Sequence, residues 1–210
     1  MARDGSHARH APWTGVILAG GRARRFGGRD KAALLVDGRR IIDRQLDALR
    51  SATPDILVVT NDPDRFATLG VPVVVDHVAG AGPLGGIYTA LVAAPTPQVV
   101  VLACDMPFVV APLLSYLAAV GAAADAAVPR LPDGWHPLCA SYSSRCVPAI
   151  GAALRAGRFT VQDVLERLHI VEVTERDLAR FGDPSRLLAN MNTAEDYRRL
   201  TTPGPDVREP

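Results

Sequence analysis

The sequence holds a single lysine, Lys31, among its 23 basic residues. That lysine ends a segment whose residue types suit anion chemistry, Leu18-Ala-Gly-Gly-Arg-Ala-Arg-Arg-Phe-Gly-Gly-Arg-Asp-Lys31. Gly20 and Gly21 carry no Cβ, so the backbone there can turn sharply and aim successive N–H groups at one anion. Arg22, Arg24, Arg25, Arg29 and Lys31 then gather cations against the carboxylate of Asp30. A triphosphate suits such a loop. It is not a Walker A loop, because Gly-x-x-x-x-Gly-Lys-Ser/Thr does not occur in the chain. A plain glycine turn with arginines on a solvated face remains open.

Two carboxylates follow apolar runs. Asp105, in Ala103-Cys-Asp-Met-Pro107, stands where Mg²⁺ would be held by one or two carboxylates together with substrate phosphates. Asp76, after Val73–Val75, has the same placement. For each, a helix cap or a turn is the competing role. Gly80-Ala-Gly-Pro-Leu-Gly85 matches Gly-x-Gly-x-x-Gly and has Asp105 downstream, which taken literally means an NAD-binding oxidoreductase. The usual place for that fingerprint is the first strand–helix turn, and here the cationic loop occupies it. The glycines, Gly82 among them, therefore read as a lid or base-binding loop, or as an ordinary connection.

Short apolar runs alternating with helix-period segments must position these groups, a pattern of parallel sheets wrapped by helices. Strands are expected at Gly15–Ala19, Ile56–Val59, Val73–Val75, Val99–Ala103, Ala126–Val128, Leu138–Tyr142 and Ile170–Val173. Helices are expected around Ile41 to Leu49, where Gln45 shares the apolar spacing, and over Leu84–Ala93, Pro112–Val120, Ser144–Ala156 and Thr160–Leu168. Thr193 and Asp196 are spaced to open a last helix. The fold expected is a three-layer α/β/α Rossmann-like sandwich with a mostly parallel sheet. It would span residues 14–200, between a loose leader (1–13) and a frayed tail (201–210).

Composition narrows the function. With 48% hydrophobic residues and 21% charged, the 210 residues suffice for one sizeable core. No apolar run approaches a membrane span. A net charge of +1 supplies no global field for nucleic acid or an anionic membrane, so any anion site is local. Cys104, Cys139 and Cys146 read as reduced core thiols of a cytoplasmic protein, and the leader lacks the apolar segment of a signal peptide.

Leu18-Ala-Gly-Gly21, Arg24-Arg-Phe-Gly-Gly-x-Asp-Lys31, Gly82-Pro-Leu-Gly85, Cys104-Asp-x-Pro107 and Asn190-x-Asn-Thr193 occur in that order. Together they resemble the bacterial molybdenum cofactor guanylyltransferases of the MobA-like nucleotidyltransferase group, over about Thr14 to Leu200. Leu-Ala-Gly-Gly is similar to the guanylyl-transferring members, whereas related cytidylyltransferases carry Leu-Ala-Ala-Gly-x-Ser. The resemblance implies that the terminal phosphate of Mo-molybdopterin attacks the α-phosphorus of GTP, with Mg²⁺ as cofactor and molybdoenzymes or their chaperones as further partners. It implies that Leu18, Ala19 and Gly20 contact the nucleotide, with Gly21 in the same turn, and that Lys31 contacts the phosphates. Asp76 and Asn61 would lie in the nucleotide site, and Asp105 would hold the metal. Arg25 and Lys31 would face the charge collecting on pyrophosphate. His136, in Trp135-His-Pro-Leu138, and Asn190 and Asn192 would serve the acceptor. For His136 a turn or core role competes, and for Trp135 plain packing. The alternatives are a cytidylyltransferase or another sister nucleotidyltransferase, an adaptor that binds nucleotide without turnover, and, most distant, the NAD-binding oxidoreductase.

Overall fold

Strand β1 (Thr14–Leu18) is buried along its whole length, as an apolar run at the centre of a two-sided sheet must be. Its side chains alternate between two cores. Ile17 joins Leu46, Leu49, Val58, Leu102 and Leu113 on one face, while Val16 and Leu18 join Leu57, Ile87, Val101 and Ile150 on the other. The structure is a computed structural model and describes residues 13–20, 35–78, 80–191 and 196. The leader up to residue 12, the tail from 201, and Gly21, Arg25, Lys31, Asn192 and Thr193 lie outside the described residues.

A small hairpin, β2 (Leu35–Val36) and β3 (Arg39–Arg40), leads into α1 (Ile41–Arg50). Then come β4 (Ile56–Thr60), a 3-10 turn (Asp64–Leu69), β5 (Val73–Val75), α2 (Gly82–Ala93) and β6 (Gln98–Ala103). Helix α3 (Ala111–Gly121), β7 (Ala126–Leu131), β8 (Gly134–Trp135), β9 (Cys139–Ser143) and α4 (Val147–Arg155) follow. The chain continues through α5 (Val161–Leu165), β10 (Ile170–Val173), α6 (Glu175–Leu178) and α7 (Pro184–Leu187).

The main sheet has the order β10-β7-β9-β6-β1-β4-β5, with β8 attached to β7. Strands β5, β4, β1 and β6 pair in parallel, as do β7 and β10. Only β9 on that path runs the other way, antiparallel to both β6 and β7. Helices α1 and α3 cover one face and α2, α4 and α5 the other, which is the expected three-layer, mostly parallel architecture.

Local expectations differ in detail. The segment expected as one helix from Ser144 begins as a 3-10 turn (Ser144–Cys146), and Pro148 sits in the first turn of α4, where its missing N–H costs nothing. The helix expected over Thr160–Leu168 is only Val161–Leu165. The hairpin β2–β3, β8, α6 and α7 carry too few residues to express a period.

Candidate active site

In a parallel sheet, strand C-termini share one edge. The ends of β1, β4, β5 and β6 therefore bring Ala19, Asn61, Asp76 and Asp105 to the same side. Register confirms it: Leu18 lies opposite both Val59 and Ala103, and Thr60 opposite Val75. From β1 the chain passes to β4 on one side, whereas β6 lies on its other side. β1 therefore lies at the switch point of the sheet, where open α/β sheets bind ligands, and a crevice opens there.

That crevice is a cavity of about 260 Å³ lined by Leu18, Gly20, Pro83, Ala103, Cys104, Asp105, Leu138 and Asn190. Of the residues singled out in the sequence, Leu18, Gly20, Asp105 and Asn190 thus meet in one place. Ala19 and Asn61 stand at its border. Ala19 N–H donates to Val59 O at 2.8 Å, its carbonyl accepts from Thr60 Oγ1 at 3.2 Å, and a Cβ on Gly20 would lie 3.6 Å from Asn61 Nδ2.

Asp76 and Gly82 lie on the same edge but do not line this cavity. Asp76 Oδ1 accepts from Thr89 Oγ1 at 2.9 Å and from Val78 N–H at 3.1 Å, tying the end of β5 to α2. Gly82 opens α2 with φ of 61°, a left-handed conformation that disfavours side chains, and its neighbour Pro83 reaches the cavity wall. Gly85 is equally constrained, since a Cβ there would sit 3.0 Å from Val78 O. The dinucleotide-like glycines are accounted for by turn geometry and helix–loop packing.

Asp105 is half-buried and anchored through its backbone. Its carbonyl accepts the Met191 N–H at 2.9 Å, which carries Asn190 to the cavity. Met191 packs with Val36, Ile41 and Phe108 in a small third core, so β2, the start of α1, the segment after Asp105 and the segment carrying Asn190 share one anchor. His136 is elsewhere. It lines a neighbouring cleft of about 800 Å³ with Asp133, Glu175, Arg186 and Leu188, and its Nε2 lies 3.1 Å from Asp133 Oδ1. Asn190 borders both cavities. Trp135 is half-buried beside the second core, with the Arg130 guanidinium 5.0 Å from its ring centroid, which fits the packing role.

Residues 15–173 match the family described as the MobA-like NTP transferase domain. The chain belongs to that family. This transferase is 35% identical over 188 residues to the molybdenum cofactor guanylyltransferase of Desulfosudis oleivorans, covering 89% of this chain and 93% of the relative. It is 38% identical over 183 residues to a probable molybdenum cofactor guanylyltransferase of Pelotomaculum thermopropionicum, covering 87% and 89%. A solved structure of molybdopterin-guanine dinucleotide biosynthesis protein A from Archaeoglobus fulgidus superposes with a TM-score of 0.77 at 27% identity, covering 90% of this chain and 96% of the other. Membership of this family supports nucleotidyl transfer over the oxidoreductase alternative.

The transferase's donor set at the crevice suits a hard cation. Among the described residues there is no cluster of three or more His, Cys, Asp or Glu side chains, as a zinc centre would need. One carboxylate, Asp105, lines the crevice, a donor that would suit Mg²⁺ with the remaining oxygens taken from substrate and water. No described helix is long and apolar enough to cross a membrane.

Sequence reasoning missed what holds the transferase's Asp105 loop. Gln45, only 2% exposed on the inner face of α1, donates from Nε2 to Ala103 O at 2.7 Å and to Met106 O at 3.0 Å, bracketing Asp105. The signal was present as a polar residue on the apolar spacing Ile41, Ile42, Leu46, Leu49. Leu138 and Pro83 also line the crevice unforeseen.

Proposed function

We propose that this transferase moves GMP from GTP to Mo-molybdopterin, giving molybdopterin guanine dinucleotide and pyrophosphate. The observation that carries the reading is Asn190, shared by the crevice at Asp105 and by the larger cleft beside it. Two substrates bound in the two cavities would meet there. The names of the relatives support guanylyl transfer to a molybdenum pterin, and Leu18-Ala-Gly-Gly21 supports GTP over CTP.

In this reading an ionised oxygen of the acceptor's terminal phosphate attacks the α-phosphorus. A new phosphoanhydride bond forms, the bond between α-phosphorus and bridging oxygen breaks, and the electron pair leaves on pyrophosphate. No general base is required, since the nucleophile carries no proton at neutral pH. The protein aligns two polyanions and offsets their charge. Asp105 would hold Mg²⁺, which supplies charge neutralisation at phosphate oxygens when bound. Leu18, Ala19 and Gly20 would offer backbone contacts, Asn61 and Asp76 would border the nucleotide, and Gly82 would shape the turn over it. Arg25, Lys31 and Gly21 belong to the proposed phosphate loop, and Asn190 and Asn192 to the acceptor side.

Thermal unfolding with GTP, CTP or NAD, each with and without Mg²⁺, tests the nucleotide, because a ligand that binds only the native state raises the midpoint. GTP with Mg²⁺ should give the largest rise, and a rise with NAD alone would refute the reading. Asp105→Ala should abolish pyrophosphate release in the presence of Mo-molybdopterin. Retained release would remove Asp105 from the chemistry.

A further inference from the structure

We infer that the outer end of the larger cleft recognises the acceptor's ring by its N–H edge, with Asp133 as the specificity-determining carboxylate and His136 as the residue that positions it. The inference rests on the proposed function for the acceptor being a pterin. Two chain segments line the larger cleft: one contributes Asp133 and His136, the other Arg186, Leu188 and Asn190. Leu138 and Asn190 also line the crevice, so the route outward from it begins at these two residues. An acceptor whose phosphate reacts beside Asp105 and Asn190 must extend along this route, its ring away from the nucleotide.

The outer end is built for such a ring. A 2-amino-4-oxo pyrimidine presents two adjacent N–H donors, and a carboxylate accepts both at once. The Asp133 side chain is 72% exposed, so alone it would be free to rotate in water. The His136 side chain is 15% exposed, with its backbone N–H bonded to Pro129 O at 2.9 Å, and its Nε2 contacts Asp133 Oδ1 at 3.1 Å. That contact fixes the carboxylate and leaves it lone pairs for the ring. From the other segment, Arg186 packs its guanidinium 4.4 Å from the Phe108 ring centroid and lines the same cleft, offering a planar cation for stacking. Asp133 also repels a phosphate at this end, so the acceptor is directed in phosphate first. His136 thus acts on the acceptor through Asp133.

The test uses two arms. In turnover with GTP and Mo-molybdopterin, Asp133→Asn should raise the acceptor KM by about tenfold or more, the usual consequence of losing a charge-assisted pair, with the GTP KM unchanged. His136→Ala should raise the acceptor KM while kcat holds, and His136→Gln, which can still donate to Asp133, should restore it. In binding, the wild-type chain should prefer pterin over lumazine, which lacks the 2-amino group, and Asp133→Asn should lose that preference. An unchanged acceptor KM in Asp133→Asn, equal effects of the two His136 variants, or no wild-type preference for pterin would each overturn the inference while leaving GMP transfer standing. If the wild-type chain makes no product from Mo-molybdopterin, the proposed function fails, and the pterin–lumazine comparison alone decides the inference.

Discussion

Replacing Gln45 by leucine should destabilise the protein and slow it by different routes. The amide makes two hydrogen bonds, at 2.7 and 3.0 Å, to the carbonyls of Ala103 and Met106. Ala103 O keeps a second donor, the Met106 N–H at 3.3 Å, whereas Met106 O loses the amide that serves it. At about 1 kcal/mol net per bond the loss is at most about 2 kcal/mol, because leucine also removes the buried Gln45 Oε1, unpartnered among the described residues. For a chain of this size that lowers Tm by no more than roughly 4–8 °C. Leucine fills much the same volume, so no large cavity adds to it. The turn it releases carries Asp105, and a misplacement of about 1 Å costs on the order of a hundredfold in rate. Pyrophosphate release at 25 °C should therefore fall by at least about tenfold although the protein remains folded. Ile42→Val, on the same helix face, provides the comparison. It should cost about 1 kcal/mol of stability and leave the rate intact. If Gln45→Leu lowers Tm but turns over like Ile42→Val, the bonds do not position Asp105. If Tm does not move, they do not hold the turn either.

Lys31→Arg should reduce pyrophosphate release by about tenfold, because a planar fork replaces the point charge that a flexible ammonium brings to a phosphate. Arg40→Lys, on the exposed hairpin and paired with Asp43, should leave the rate unchanged, and equal effects would refute a special role for Lys31. Asp125 tests acid stability. The His169 N–H at 3.0 Å and then Arg145 hold its carboxyl below the ordinary 3.8, so its contribution is present above that value and lost as pH falls through the lower folded pKa. The Tm gap between wild type and Asp125→Asn should accordingly shrink on acidification below about pH 4, and a constant gap would exclude the linkage.

Strands β1, β4 and β6 were legible because each is an apolar run buried on two faces, and their order of appearance predicted a parallel sheet. The hairpin before α1 was not read, since two-residue strands have no period, yet Asp37-Gly38 signalled its turn. Both residues have positive φ, 51° and 74°, as a tight hairpin requires. Gln45 was visible as an anomaly of spacing without a partner to explain it. Asn190 rested on resemblance alone. Its place depends on the bond between Met191 N–H and Asp105 O, a contact across the chain that no local pattern encodes.

The direction of β9 was within reach. Only seven residues separate the end of β7 at Leu131 from the start of β9 at Cys139, fewer than the dozen or so that a parallel crossover needs. The reversal has a functional consequence. Because β9 runs against β6, it begins where β6 ends: Cys139 lies opposite Leu102, and Ala103 N–H donates to Leu138 O at 2.8 Å. The β8–β9 loop, with Leu138 in the crevice and His136 in the neighbouring cleft, is thereby delivered to the edge that holds Asp105. A parallel β9 would begin at the opposite edge and carry that loop away. In the proposed function the parallel strands alone frame the crevice for the nucleotide, and the loop delivered by the one antiparallel strand on the path lines the second cavity, which a reaction joining two phosphate-bearing substrates would need.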